Sequence, residues 1–204
     1  MQSSAVSPGG GRGCGHLVHF YDEVYPVDAA CDFIASGLRA GNRCVVMLAA
    51  RDRAAVEREL SARGIDTNPD ARRDSGAYQA VDRDDAMSQF VVGGRLDLQL
   101  AAQAMTELLA PPPQGQAMRV RLVGDPAAAM FAAGKQEDAI ALEQLVDGLA
   151  AEYSAAVFCA YPIQDFCHEG RTEPLFRISA AHAALTFPER LWVQSLLRSA
   201  PGFG

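Results

Sequence analysis

The segment from Ser154 to Pro162 constrains the fold of this chain more than any other stretch. Its residues are almost all apolar, among them Val157, Phe158 and Tyr161, and the closing proline cannot donate a hydrogen bond to a neighbouring strand. An apolar run of this length predicts a strand that is covered on both faces, which is typical of the interior of a parallel sheet.

Polar side chains lie at and just beyond the carboxyl end of this predicted strand. Open parallel sheets bind their ligands at that edge, so we expect a functional site there. The residues concerned are Cys159, Tyr161, Asp165, Cys167 and His168.

Strand and helix patterns alternate along the first half of the chain. Residues 16–21 have a strand composition, and an amphipathic helix follows from Pro26 to a stop at Gly41. Residues 43–50 resemble a second buried strand, followed by a helix over 53–63. This order predicts an α/β three-layer sandwich with a mostly parallel central sheet and right-handed crossovers.

The second half continues the alternation. We expect a strand over 77–81, a helix from Asp82 to about Val92, helices over 97–110, 126–133 and 137–153, and a strand over 118–123. In that strand Arg119 and Arg121 alternate with apolar residues, which indicates one polar face or an edge position. The capping-box pattern at 186–189 predicts a final helix.

Composition limits the class of protein. We expect one domain over residues 16–204 after a disordered, glycine-rich tail over 1–15. Acidic residues number 25 against 18 basic ones, without a basic run, so nucleic-acid binding is not expected. No apolar run reaches the roughly 18 residues of a membrane span, and the first residues lack the apolar region of a secretory signal, so we expect a cytoplasmic protein. The odd count of 5 cysteines favours reduced, buried thiols.

Nucleotide-binding motifs are missing at the places where such a fold would carry them. The predicted loop from Tyr21 to Pro26 contains two carboxylates and neither glycine nor lysine. A phosphate loop needs glycines for close backbone approach and a cation for charge. The sequence therefore predicts a sheet that lacks a phosphate loop.

Histidines and cysteines raise the question of a metal site. His16 and His19, with Cys14, Cys167 and His168 elsewhere, are residue types that bind metal ions. Residues three apart on a strand face opposite sides of the sheet, so His16 and His19 cannot share an ion on a regular strand. We therefore expect no metal site and interpret these side chains as polar groups satisfied at strand ends.

Two further alternatives stay open. Cys159 or Cys167 could act as a nucleophile with His168 or His182 as its base, although Cys159 also suits buried packing and Cys167 is the more reactive candidate. Asp125 has the position of a functional carboxylate and equally that of an N-cap before a proline.

Several short motifs, in this order and spacing, resemble one bacterial and archaeal sensory domain. They are His19-Phe20-Tyr21, Phe33-Ile34-x-x-Gly37-Leu38-x-x-Gly41, Val45-Val46, Arg119-Val120-Arg121 with Gly124, Leu142-Glu143, and Cys159-Ala160-Tyr161-Pro162 with His182. Over residues 16–185 the chain is similar to the MEDS domain, named after the regulator of dichloromethane metabolism.

This resemblance implies a degenerate relative of RecA-like and circadian-clock ATPase domains that keeps the sheet. The family occurs beside kinase, anti-sigma-factor and DNA-binding modules and is taken to sense small molecules such as hydrocarbon derivatives. Gly124-Asp125-Pro126 and Val146-Asp147 depart from the family pattern, so a shared ligand does not follow. The positions implied to bind ligand are His19, Tyr21, Asp125, Glu143, Cys159, Tyr161 and His182.

We therefore expect a non-catalytic, cytoplasmic small-molecule sensory module of bacterial signal transduction, with no cofactor defined. Because the chain ends soon after the domain, we expect it to act on a separate partner such as a kinase, an anti-sigma factor or a transcription factor. One alternative is an atypical nucleotide-binding protein with Asp125 as the metal-coordinating carboxylate. Another is a ligand-free domain that forms a homodimer through the helix over 97–110 or the C-terminal helix.

Overall fold

The computed structural model describes residues 15–67, 78–111, 119–167 and 172–187. Its strands are β1 (Gly15–Tyr21), β2 (Arg43–Leu48), β3 (Tyr78–Asp82), β4 (Val91–Val92), β5 (Arg95–Leu96), β6 (Val120–Gly124), β7 (Ala156–Pro162) and β8 (Ala184–Thr186). Its helices are α1 (Val27–Arg39), α2 (Ala50–Ala62), α3 (Arg83–Ser88), α4 (Leu98–Leu109), α5 (Pro126–Ala132), α6 (Gln136–Tyr153) and α7 (Thr172–Ala180), with a 3-10 turn at Ile163–Phe166.

Among the described residues, six strands form one sheet in the order β3-β2-β6-β7-β1-β8, and every pairing between them is parallel. Strand β7 lies between β6 and β1, and its residues from Ala156 to Tyr161 are all buried. The prediction of a strand covered on both faces in the sheet interior is therefore confirmed. Strands β4 and β5 form a separate antiparallel hairpin that turns at Gly93 and Gly94.

Helices cover both faces of the sheet. Helices α1 and α2 pack on one face through a core that contains Ile34, Leu60 and Phe158. Helices α3 to α7 contribute to the core on the other face, which contains Phe131 and Tyr161. The expected three-layer sandwich is confirmed, and its sheet is parallel throughout.

The alternation of β1 decides which side chains face which helices. Burial alternates along this strand, and Val18 and Phe20 belong to the core on the α6 side. His16 is buried in step with them, whereas His19 and Tyr21 are partly exposed and point to the α1 side. His16 and His19 thus face opposite sides of the sheet, as the strand period requires.

Two expectations about local structure need correction. Of the two alternatives for the strand with Arg119 and Arg121, one polar face or an edge position, the edge position is wrong, because β6 pairs with β2 and β7. Arg121 is accommodated there by reaching under α1, where it donates hydrogen bonds to the Phe33 carbonyl at 2.9 Å and to Ser36 Oγ at 2.7 Å. The helix expected to run to Val92 ends at Ser88, because the chain then turns into the β4–β5 hairpin.

Several expectations fall outside the described residues. They are residues 1–14 of the tail predicted over 1–15, the helix predicted to follow 186–189, the C-terminal dimerisation helix, Cys14 and His168. Gly15, the last residue of that predicted tail, is instead the first residue of β1. The single domain over 16–204 stays a prediction for the same reason. Within the part of the chain that the structure describes, no helix combines the length and the apolar character needed to cross a membrane.

Candidate functional site

Helix α6 carries an acidic side chain into the core. Glu143 lies on the buried face of this helix with Leu142 and Val146, and only 1% of it is exposed. Removing a carboxylate from water costs several kcal/mol unless charged or hydrogen-bonded partners compensate. The groups around Glu143 therefore determine what this position can do.

Four side chains from other elements surround the carboxylate. Tyr161 donates its hydroxyl hydrogen bond to Oε1 at 2.5 Å, and Cys159 Sγ lies 3.5 Å from Oε2. His16 Nε2 lies 3.2 Å and His182 Nε2 lies 3.4 Å from the same Oε2. We refer to His16, Glu143, Cys159, Tyr161 and His182 as the Glu143 cluster.

The local fold explains why these residues meet. Cys159 and Tyr161 are two apart on β7 and so face the same side. Val18 pairs in register with Cys159, which places His16, two residues earlier in β1, beside the thiol. The distance from His16 Nε2 to Cys159 Sγ is 3.2 Å.

His182 approaches from the sheet edge. It follows α7, and its Nδ1 lies 2.6 Å from the Ile178 carbonyl, which can only accept, so Nδ1 carries the hydrogen. This leaves Nε2 directed at Glu143, and the ring packs on that of His16 with centroids 3.9 Å apart. The segment between α7 and β8 is thereby tied to the core.

Burial and charge set the protonation of the cluster. Burial acts to raise the pKa of Glu143, but contacts with His16 and His182 outweigh it and hold that pKa well below its usual range. Burial acts to lower the pKa of His182, and the Glu143 carboxylate raises it overall. Burial and the Glu143 charge raise the pKa of both Cys159 and Tyr161 well above their usual values. At neutral pH the cluster contains a carboxylate, a thiol and a phenol, an environment that does not activate Cys159 as a nucleophile.

Asp125 occupies a separate position at the carboxyl end of β6. It is the N-cap residue of α5 and Pro126 is the first helical residue, so the N-cap interpretation is confirmed, although the Asp125 side chain makes no capping hydrogen bond. Instead Oδ2 accepts a hydrogen bond from Arg83 at 2.9 Å, while Oδ1 is buried without a hydrogen-bond partner in the described part of the chain. Burial raises the pKa of Asp125 to about 6, although Arg83 opposes the shift.

A small cavity is lined both by Asp125 and by members of the Glu143 cluster. It lies between the sheet and helices α5 and α6, and its lining includes Asp125, Glu143, Cys159 and Tyr161. The rest of the lining is mainly apolar and includes Met47 and Met105. Its volume is about 20 Å³, enough for roughly one ordered water molecule.

The seven residues expected to bind ligand therefore divide into two groups. Glu143, Cys159, Tyr161 and His182 meet in the cluster, and Asp125 lies on the same cavity. His19 and Tyr21 face the other side of the sheet, where His19 Nδ1 lies 2.8 Å from Thr186 Oγ1 and Tyr21 packs on Tyr25. The cluster also lies between α6 and the face of the sheet, because α6 supplies its central residue, Glu143. It does not lie beyond the carboxyl ends of the strands, where the site was expected.

One member of the expected edge site, Cys167, lies apart from the cluster. Cys167 is exposed, and its Sγ is 3.5 Å from the Ile163 carbonyl. His16, in contrast, belongs to the cluster although the sequence singled it out only as a possible partner of His19. Its period-two spacing from Val18 and Phe20 is the signal that could have assigned it to the buried face.

The fold and the cluster define a parallel α/β domain with a polar centre in its core, and its loop between β1 and α1 has no phosphate-loop glycines. The family model described as "MEthanogen/methylotroph, DcmR Sensory domain" (MEDS) matches residues 16–174. The chain belongs to the MEDS family, which confirms the resemblance and makes it a member of a sensory domain family. A comparison with curated proteins finds no match. The relationship to RecA-type ATPases stays a prediction.

Proposed function

We propose that this protein is a non-catalytic small-molecule sensory module, in which a compact ligand enters the cavity beside the Glu143 cluster. The observation that carries the proposal is the position of that cavity. It touches Glu143, and Oε2 of this side chain lies 3.4 Å from Nε2 of His182, which belongs to the segment that leads to the edge strand β8. A ligand in the cavity can therefore affect the segment that carries His182.

The size and lining of the cavity favour a ligand of very few atoms. A volume of about 20 Å³ leaves no room for a nucleotide without large rearrangement. Apolar walls with a carboxylate, a thiol and a phenol at one end suit a one-carbon compound with a weakly polar group, and the cavity has to widen beyond the volume of one water molecule to admit it. Membership of a family named after methanogens and methylotrophs supports the same chemical class.

The sheet edge offers a surface for output. Residues 172–187 form α7 and the edge strand β8, and they expose Phe176 and Leu185. An exposed edge strand with apolar neighbours is a common place for another protein to bind. We infer that a regulatory protein, such as a kinase, an anti-sigma factor or a transcription factor, contacts this edge. A ligand changes that contact only if it binds one arrangement of the edge better than another.

Methionine methyl groups provide a direct test of ligand entry. Met47 and Met105 line the cavity, whereas Met87 packs elsewhere in the core. Protein labelled with carbon-13 at the methionine methyl groups would be titrated with dichloromethane and, separately, with methanol. Saturable shifts of the Met47 and Met105 signals, with Met87 unchanged, support the proposal. Equal shifts of all three signals, or none with either compound, contradict it.

A cavity-filling substitution sharpens this experiment. Ala128 lines the cavity, and Ala128→Val places two additional methyl carbons near it. Ala139 is buried in the same core outside the lining, so Ala139→Val is the matched control for added volume. Ala128→Val is expected to lower the affinity measured from the saturable shifts at least tenfold. Ala139→Val is expected to leave that affinity unchanged. The same loss of affinity in both variants would mean that the shifts report changes in core packing rather than ligand binding in the cavity.

A further inference from the structure

Four buried donor atoms of the cluster converge on one point. The side chains of His16, Glu143, Cys159 and His182 each offer one donor, and all four donor atoms lie within 4.8 Å of one another. Each of the four residues is at least nine-tenths buried. The set differs from exposed acidic clusters, because it combines two imidazoles, a thiol and a single carboxylate in the core.

Four of the six donor–donor separations are close to those of a tetrahedral zinc site, and the other two are no longer than 4.8 Å. Zinc bonds of about 2.0 Å to nitrogen or oxygen and about 2.3 Å to sulfur place tetrahedral ligand atoms about 3.3–3.7 Å apart. His16 Nε2 is 3.2 Å from both Cys159 Sγ and Glu143 Oε2. Glu143 Oε2 is 3.4 Å from His182 Nε2 and 3.5 Å from Cys159 Sγ. Small adjustments of the side chains would bring all four donors to bonding distance of one ion.

Hydrogen bonds outside the set orient the donors for this purpose. His182 Nδ1 donates to the Ile178 carbonyl, which directs the Nε2 lone pair inwards. Tyr161 holds Glu143 Oε1, which leaves Oε2 for an ion. Metal-bound histidines and carboxylates typically have such outer partners, since these fix the tautomer and the ring orientation.

A buried nitrogen without a hydrogen-bond partner in the described part of the chain points independently to a metal at this place. His182 Nε2 is buried and makes no properly aligned hydrogen bond with any described residue, although it lies 3.4 Å from Glu143 Oε2. Buried polar atoms in folded proteins almost always have a partner, so each exception calls for an explanation. A metal ion between the four donors would provide that partner.

We propose that His16 Nε2, Glu143 Oε2, Cys159 Sγ and His182 Nε2 bind a single zinc-type divalent ion. The assignment goes beyond the sensory function, since it depends on these four side chains alone. Two neutral imidazoles, one carboxylate and one thiolate suit zinc and balance its two positive charges, which a buried site requires. On binding, the S–H bond of Cys159 breaks, a metal–sulfur bond forms and the proton leaves to water. With four protein donors the coordination shell is closed, so the ion holds His182 and its edge segment against the core.

Cobalt titration tests this site by its spectrum. The full chain, treated with a chelator and dialysed, would be titrated with Co²⁺ alone. Tetrahedral Co²⁺ absorbs strongly in the visible range, and a thiolate ligand adds a charge-transfer band in the near ultraviolet. The wild-type chain is expected to show both, to saturate at one ion per chain and to lose the colour when Zn²⁺ is added. Absence of either band in the wild-type chain overturns the proposal without reference to any variant.

Variants identify the donors. Cys159→Ser should lose the charge-transfer band, while Cys167→Ser, which removes an exposed thiol outside the cluster, should retain it. His182→Gln should weaken Co²⁺ binding by at least tenfold, and it is the second variant if Cys159→Ser does not fold by circular dichroism. A band that persists in Cys159→Ser, or unchanged affinity in His182→Gln, refutes the site. Failure here would leave the methionine shifts unaffected, so the two proposals are tested separately.

Discussion

The carboxyl group of Asp125 gives a prediction whose size follows from its surroundings. Only 11% of its side chain is exposed, and its ion pair with Arg83 does not fully compensate for the lost hydration. Burial therefore raises its pKa from the ordinary value of 3.8 to about 6. The charged form is disfavoured in the folded protein, so Asp125→Asn is expected to stabilise it at neutral pH.

The sign and the magnitude follow from proton linkage. The pKa of Asp125 is higher in the folded protein than in the unfolded chain. Protonation of Asp125 therefore contributes its full stabilisation below the unfolded pKa, and this stabilisation is lost as the pH rises through the folded pKa. A difference of about two pKa units corresponds to about 3 kcal/mol of unfolding free energy above about pH 7. About 2 kcal/mol of that is regained when the pH falls from about 7.5 to about 4.5.

Urea denaturation followed by circular dichroism at both pH values measures this effect. At the higher pH we expect Asp125→Asn to exceed the wild type by about 1–3 kcal/mol, and at the lower pH the difference should shrink by about 2 kcal/mol. Glu23→Gln, which neutralises an exposed carboxylate, is the control and should change neither value by more than about 0.5 kcal/mol. If Asp125→Asn is no more stable than the wild type near neutral pH, the free-energy cost assigned to burying the Asp125 carboxylate is wrong.

Two further substitutions test packing and the cluster by the same denaturation assay. A Cβ at Gly37 would lie 2.8 Å from Cys44 Sγ, so Gly37→Ala should cost about 1–3 kcal/mol, whereas Gly148→Ala, with open space around it, should be neutral or stabilising. Equal effects would contradict close packing of α1. Tyr161→Phe removes the partner of buried Glu143 and should cost about 1–3 kcal/mol or more. Tyr78→Phe, which removes a partly buried hydrogen bond from Tyr78 to Glu57, should lower the free energy of unfolding by less. A larger loss for Tyr78→Phe than for Tyr161→Phe would count against the cluster.

The architecture could be predicted because the central strands β2 and β7 carried their own burial signals. The unbroken apolar run in β7 requires cover on both faces, and the alternation of strands and helices requires parallel crossovers. The prediction for β6 was less successful. The alternation of Arg119 and Arg121 with apolar residues left one polar face or an edge position open. The strand lies inside the sheet, because Arg121 donates hydrogen bonds under α1 to the Phe33 carbonyl and to Ser36 Oγ. Such a bond is formed between residues far apart in sequence and leaves no local pattern.

The candidate site was only partly predictable for a related reason. The resemblance pointed to Glu143, Cys159 and His182, but the strand order that places β1 beside β7 is not encoded in any local motif. Without that order, His16 could not be assigned to the thiol and His19 could not be placed on the opposite face. The tyrosine at 161 is also 0% exposed, so Tyr161→Ala is expected to destabilise the fold rather than affect binding alone.

The most direct measurement of the sensory mechanism is hydrogen exchange at the sheet edge. Amide exchange would be compared by mass spectrometry with and without whichever compound, dichloromethane or methanol, shifts the Met47 and Met105 methyl signals. The account predicts that exchange in peptides covering residues 172–187 changes on saturation, while peptides from α2 keep their rates. Saturated methyl shifts with unchanged exchange over 172–187 would show binding without a signal and would contradict the account.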